Sequence, residues 1–295
     1  MTDPAAEAMT TVDAHHHLWD PARATYPFLT DELALIRRRF GPEDLAPLLE
    51  ANGIDRTIVV QARGDIAETR DLLATAAATP FIGGVVGWAD LTDPGVADAI
   101  AQLRAGAGGD KLVGIRHQVH DEPDPAWLVR PDVRRGIRAV GAAGLAYDVL
   151  IRPREMPVAL ATVRALPDVR FVIDHLAKPP IASGVVGPWA KLLRPFGAEQ
   201  NVWCKVSGLV TEADWVSGRP ADLVPFVARA VDTFGPDRLM FGSDWPVCLL
   251  AASYERVVES ARIALGGLGQ GDLARVFGAT AAAVYRLDDR TAPTA

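Results

Sequence analysis

The chain is predicted to fold as an α/β protein, a (β/α)8 TIM barrel, and three observations carry that prediction. Eight short runs rich in apolar and β-branched residues recur along it, at 11–15, 57–61, 81–88, 112–117, 146–151, 170–174, 202–206 and 239–242. Stretches with helical patterning lie between them, at 42–52, 67–78, 94–105, 131–143, 157–166 and 223–234. Polar residues capable of chemistry collect where the runs stop. Strand, helix, strand, repeated in this way, describes parallel strands joined by crossover helices. A doubly wound open sheet is the alternative architecture.

The first run passes from Val12 through Asp13 into His15-His16-His17. Alternation along a strand sends His15 and His17 to one face and His16 to the other. A tag remnant would be terminal and longer, and would not lead into Leu18-Trp19-Asp20-Pro21. The helix at 42–52 opens on Pro42 and halts before Gly53, as helix ends prefer. The fourth run ends in Arg116-His117 with His120 just beyond, and the helix after it runs from Pro131 to the residue before Gly144. The fifth run holds Tyr147-Asp148 and the sixth ends in Asp174-His175. The seventh carries Lys205 with Ser207 beyond it; its helix stops before Gly235-Pro236, and the eighth run leads into Ser243-Asp244.

A length of 295 residues suits one barrel, typically about 250 residues. A single domain spanning 1–295 is therefore expected, flexible at 1–10 and 291–295. Hydrophobic residues at 49% and charged residues at 23% fit a globular protein, and a net charge of −7 argues against a nucleic-acid surface. No run of about 18 apolar residues suggests a membrane span. The acidic stretch 2–9 lacks the basic-then-apolar order of a signal peptide, so a cytoplasmic protein acting on a small molecule is expected. Cys204 and Cys248 lie far apart without Cys-x-x-Cys spacing, which speaks against a disulfide framework or zinc knuckle. No Gly-x-Gly-x-x-Gly follows a strand, and nucleotide cofactors lose their support.

All six histidines fall at or just beyond expected strand ends. In a barrel those ends converge on one mouth, where such folds keep their chemistry. His15, His17, His175 and Asp244 offer three imidazole nitrogens and a carboxylate, a set suited to a divalent ion such as zinc with one position left for water. The same imidazoles could instead donate hydrogen bonds to a carbonyl oxygen while Asp244 takes a proton from water. Both routes stay open at this point.

Five ordered segments then carry a resemblance: Val12-Asp13-Ala14-His15-His16-His17-Leu18-Trp19-Asp20; Gly114-Ile115-Arg116-His117 with Asp121-Glu122-Pro123-Asp124; Asp174-His175-Leu176-Ala177-Lys178-Pro179; Cys204-Lys205-Val206-Ser207-Gly208-Leu209; and Phe241-Gly242-Ser243-Asp244-Trp245-Pro246. Together they resemble the amidohydrolase superfamily, and within it the amidohydrolase 2 branch of sugar-lactone (L-fuconolactonase-like) and pyrone-dicarboxylate lactonases. The resemblance implies a (β/α)8 barrel. It also implies that His15 and His17 are the first-strand His-x-His, His175 the sixth-strand His, and Asp244 the proton-abstracting Asp of the eighth. Many members add a bridging lysine on strand four and a histidine on strand five. Arg116 and Tyr147-Asp148 stand there instead, which speaks for one divalent metal, zinc, and against a two-metal centre. Some members of the branch are reported to need no metal.

The expected reaction is water attack on a lactone carbonyl. Asp244 takes the water proton and returns it to the ring oxygen, while Arg116, His175 or zinc stabilises the oxyanion. No Gly-x-Ser-x-Gly elbow competes for the role of nucleophile. Substrate contacts are expected from His117 and His120 after strand four, from Asp121, Glu122 and Asp124 as binders of hydroxyls, from Tyr147, and from the aromatic faces of Trp19 and Trp245. The favoured substrate is a neutral aldonolactone such as an L-fucono-, L-rhamnono- or galactonolactone. A pyrone dicarboxylate would need convergent arginines, for which Arg116, Arg63, Arg152 and Arg23 are candidates. Metal-dependent decarboxylation and a non-catalytic barrel are the remaining readings.

Overall fold

The computed structural model describes residues 10–287, so the ends expected to be flexible, residue 10 excepted, lie outside the described residues. Eight strands, β1 (Val12–His16), β2 (Arg56–Val60), β3 (Ile82–Gly87), β4 (Leu112–Gln118), β5 (Ala146–Leu150), β6 (Arg170–Ile173), β7 (Val202–Val206) and β8 (Leu239–Phe241), pair in parallel in that order. Each lies on one of the eight apolar runs.

Closure between β8 and β1 is made just past the strand ends. His17 N donates to the Trp245 carbonyl and Asp244 N to the His15 carbonyl, both at 2.7 Å, and His16 bridges Trp245 in parallel. Gly242 allows this approach, because a Cβ there would stand 2.6 Å from the His15 Cβ. The bonds that close the barrel thus seat Asp244 against the His15–His17 segment.

The expected helices form as α1 (Pro42–Asn52), α2 (Ile66–Ala78), α3 (Val96–Ala105), α4 (Pro131–Ala142), α5 (Met156–Ala165) and, after α6 (Gly187–Leu193), α7 (Pro220–Phe234). Gly53 takes the left-handed conformation that ends α1, and Asp65 caps α2 by accepting from Ala67 N. The chain finishes with α8 (Tyr254–Ala264), α9 (Gln270–Ala274) and α10 (Thr280–Tyr285). Helix α6, with seven residues, is too short to show a helical period. Helix α8 is announced mainly by Ser253, whose Oγ accepts from Arg256 N.

Two apolar cores separate the layers. The larger joins Leu45, Leu72, Ile100, Val133 and Phe226 of the helices to the outer faces of the strands. The smaller gathers Val12, Ile58, Val86, Val172 and Met240 with Val284 and Tyr285 of α10. Among the described residues no helix is long and apolar enough to cross a membrane.

Candidate active site

The carboxyl-terminal ends of β1, β4, β6, β7 and β8 converge as the barrel requires. Asp244 Oδ1 lies 3.3 Å from His17 Nε2, 3.7 Å from His15 Nε2 and 3.9 Å from His175 Nε2. His16 points elsewhere, its Nε2 2.9 Å from Thr57 Oγ1. The alternation expected along the first strand therefore holds.

Each ring is fixed from behind. His17 Nδ1 lies 2.8 Å from the Val60 carbonyl oxygen, which can only accept, so Nδ1 donates there and Nε2 is the nitrogen turned toward Asp244. His175 Nδ1 lies 2.9 Å from Ser207 Oγ. His15 Nδ1 faces Asp174 Oδ1 at 3.3 Å and Lys205 Nζ at 3.2 Å. The backbone bends to present these groups: φ is 53° at His175 and 59° at Asp244, and it stays positive through Leu176, Ala177 and Lys178. Such a run costs roughly 1–2 kcal/mol per residue and persists only where packing holds it.

Burial pushes the Asp244 carboxyl up, but His175, His17 and His15 outweigh burial and hold it well below the usual carboxylate range. Burial likewise pushes His15 far down and His175 down to about 4. Near neutrality the site therefore presents an anionic carboxylate and uncharged imidazoles at His15 and His175. A carboxylate oxygen and imidazole nitrogens of His15, His175 and Asp244 lie within 4.8 Å of one another. Tetrahedral zinc with bonds of about 2.0–2.1 Å has ligand-to-ligand edges of roughly 3.3 Å. The donors of His15, His175 and Asp244 fit such an ion and leave a position for water, while His17 Nε2 flanks them, 3.3 Å from Asp244 Oδ1 and from His15 Nε2.

Arg116 reaches the same centre from β4. Its Nη1 lies 3.1 Å from Asp174 Oδ2 and 3.3 Å from His15 Nε2, Nη2 donates to the Gln61 carbonyl, and Nε has no acceptor among the described residues. Beneath it lies a charged layer that sequence reasoning left out of the site. Lys205 Nζ meets Asp148 Oδ2 at 2.6 Å and Asp174 Oδ1 at 3.0 Å, and Tyr285 Oη donates to Asp148. The available signal was a charged residue inside an apolar strand, which demands a buried partner.

The other expected contacts divide. His117, Asp121 and Glu122 line a cleft of about 470 Å³ with Arg63, Gln118 and Phe28. His120 sits close by, its Nε2 3.2 Å from Asp121 Oδ1; burial first, then Lys178, Arg152 and Arg116, push it down to about 3. Tyr147 is corrected as a substrate contact: it is buried against Phe171, one residue out of phase with the inward Asp148. Trp245 is corrected too, being buried against Phe40. Trp19 is also buried; its Nε1 donates to the Ile36 carbonyl and its ring lies 6.3 Å from that of His17, so it backs that histidine and offers no open face.

The amidohydrolase family profile matches residues 12–287. L-fucono-1,5-lactonases of Burkholderia ambifaria and Burkholderia multivorans are similar at 41% and 39% identity, over 94% of this chain and 96% of each relative. A crystal structure of a Burkholderia multivorans amidohydrolase with zinc bound superposes with a TM-score of 0.88 at 39% identity, covering 94% of this chain and 99% of that one.

Proposed function

The chain belongs to the amidohydrolase family, and we propose that it is a lactonase that opens a sugar lactone, with L-fucono-1,5-lactone the first substrate to test. The observation that carries this reading is the Asp244 carboxylate, ionised and held 3.3–3.9 Å from three imidazole nitrogens at the barrel mouth. The two lactonases about 40% identical over nearly their whole length support it. We place the protein in the cytoplasm, acting as one barrel domain.

His15, His175 and Asp244, flanked by His17, would hold one zinc, which when bound polarises a carbonyl or acidifies water. Asp244 accepts a proton from the attacking water as its oxygen bonds to the lactone carbonyl carbon. The bond from that carbon to the ring oxygen then breaks, and Asp244 gives the proton to the departing oxygen. Arg116 contributes fixed positive charge 3.3 Å from His15 Nε2, where charge develops on the carbonyl oxygen. Two of the four arginines that could receive a dicarboxylate are already engaged, Arg116 by Asp174 and Arg63 by Asp65 at 2.8 Å, which weighs against that substrate.

The test is a panel of sugar lactones followed with a pH indicator, with and without a chelator. Hydrolysis of L-fucono-1,5-lactone, lost by several orders of magnitude in Asp244→Asn, is expected. Activity on no sugar lactone would sink the reading, and insensitivity to the chelator would sink an obligatory metal. Release of carbon dioxide from aromatic acids would favour decarboxylation instead.

A further inference from the structure

The cleft lined by His117 and Glu122 is backed by a three-residue chain of hydrogen bonds that the reaction does not use. Trp88 Nε1 donates to His117 Nδ1 at 3.1 Å, and His117 Nε2 lies 2.7 Å from Glu122 Oε1. An indole nitrogen can only donate, so His117 Nδ1 must be the acceptor. The ring proton is thereby placed on Nε2 and given to Glu122. Direction in this chain is fixed by Trp88.

The geometry is also rigid. The His117 ring stacks on Trp127 with centroids 4.2 Å apart and planes inclined by 10°. Thr69 Oγ1 accepts from Trp88 N and donates to the Trp88 carbonyl, tying that residue to α2. Arg154 Nη2 holds the Glu122 carbonyl. One carboxylate oxygen of Glu122 is therefore committed to His117. The other has no partner among the described residues.

The remaining groups in the cleft are largely spent. Gln118 Oε1 accepts from Gln61 Nε2 and its own Nε2 donates to the Ala62 carbonyl. Arg63 is paired with Asp65. Asp121 is 71% exposed at the rim. A partly covered carboxylate with one open oxygen, oriented by a neutral donor, suits an uncharged hydroxyl donor, and a ligand carboxylate would be repelled by it.

We propose that Glu122 is the hydroxyl-reading residue of the substrate cleft, accepting a hydrogen bond from a ring or side-chain hydroxyl of a polyhydroxylated lactone, and that His117 and Trp88 are positioning residues acting through it. The proposal rests on the lactonase reading and deepens it. Burial of His117 pushes its imidazole toward the uncharged form, in keeping with an Nδ1 that must accept.

The experiment compares wild type, Glu122→Ala, Glu122→Gln and Trp88→Phe on L-fucono-1,5-lactone and on δ-valerolactone, which carries no hydroxyl, and measures binding of L-fuconate by calorimetry. Loss of a charged hydrogen bond predicts that Glu122→Ala lowers kcat/KM for the sugar lactone by about 10- to 100-fold, mostly through KM, and leaves δ-valerolactone within about twofold. Glu122→Gln and Trp88→Phe should fall between. Equal losses on both lactones, or none on either, would overturn the proposal. Should wild type hydrolyse neither lactone, the lactonase reading falls by itself, and the calorimetry decides. L-fuconate binding weakened by Glu122→Ala then supports the hydroxyl site, and unchanged or absent binding overturns it.

Discussion

Lys205 Nζ stands 2.6 Å from Asp148 Oδ2 inside the barrel, and both side chains are fully shielded from water. The pair sits one layer below the Asp244 carboxylate and is linked to it through Asp174 and His15. Burial pushes the Asp148 carboxyl up to about 6, and Lys205 acts against it. Removing one partner leaves uncompensated charge in a closed interior. Lys205→Met is therefore expected to cost about 3–5 kcal/mol in denaturant unfolding, and Asp148→Asn with Lys205→Met together less than the two single losses summed. Strict additivity would show that the pair is not coupled.

Gly208 supplies a second prediction. Its φ is +61°, and a Cβ there would lie 2.5 Å from His175 Nδ1 and 3.0 Å from Asp244 Oδ2. Gly208→Ala thus displaces His175 and Asp244, the two residues to which the proposed chemistry assigns its main roles, while the left-handed backbone adds roughly 1–2 kcal/mol of strain. The melting temperature should fall by only several degrees. Activity should fall at least about 100-fold, since a displacement near 1 Å costs that much. Wild-type kcat/KM in this variant would contradict the assigned geometry.

Much of this arrangement was legible in the sequence. His15, His17, His175 and Asp244 could be grouped because strand periodicity and barrel topology send all four to one mouth, and they meet there. Tyr147 and Trp245 failed as substrate contacts for a reason one sequence hides: nearness to a strand end does not say which face a side chain takes. Tyr147 faces the helices and Asp148 the interior, so the expected contact lies one residue out of phase. Glu122 could be grouped only loosely with Asp121 and Asp124 as a hydroxyl binder, because what sets it apart is its link through His117 to Trp88, which comes from a different strand end. Pairings across strands need coordinates.

Ser207 tests the metal centre from behind. It is the Nδ1 partner of His175 and lies outside the set that would hold zinc. Ser207→Ala should weaken zinc binding by about 10- to 100-fold in chelator competition, as loss of such a supporting bond typically does. His16→Gln is the matched control, because His16 faces Thr57 and should leave zinc affinity unchanged. Wild type is expected to bind about one zinc per chain; equal affinity in Ser207→Ala would remove the orienting role from this hydroxyl.

Glu68 on α2 gives the pH dependence of stability. It is 4% exposed, its Oε2 accepts from the backbone nitrogens of Ala62 and Arg63 at 3.0 Å, and Oε1 is buried without a partner among the described residues. Burial dominates and pushes its carboxyl up to about 7, above an ordinary value of about 4.3. Between those values the folded chain retains a proton that the unfolded chain has lost. Stability from this residue is therefore greatest below about pH 4, falls as pH rises through 4–7 and levels off above, a change on the order of 3 kcal/mol. The difference in melting temperature between wild type and Glu68→Gln cancels the other titrating groups. That difference should favour wild type more at pH 5 than at pH 8, and a difference independent of pH would mean that Glu68 ionises as an ordinary surface carboxylate does.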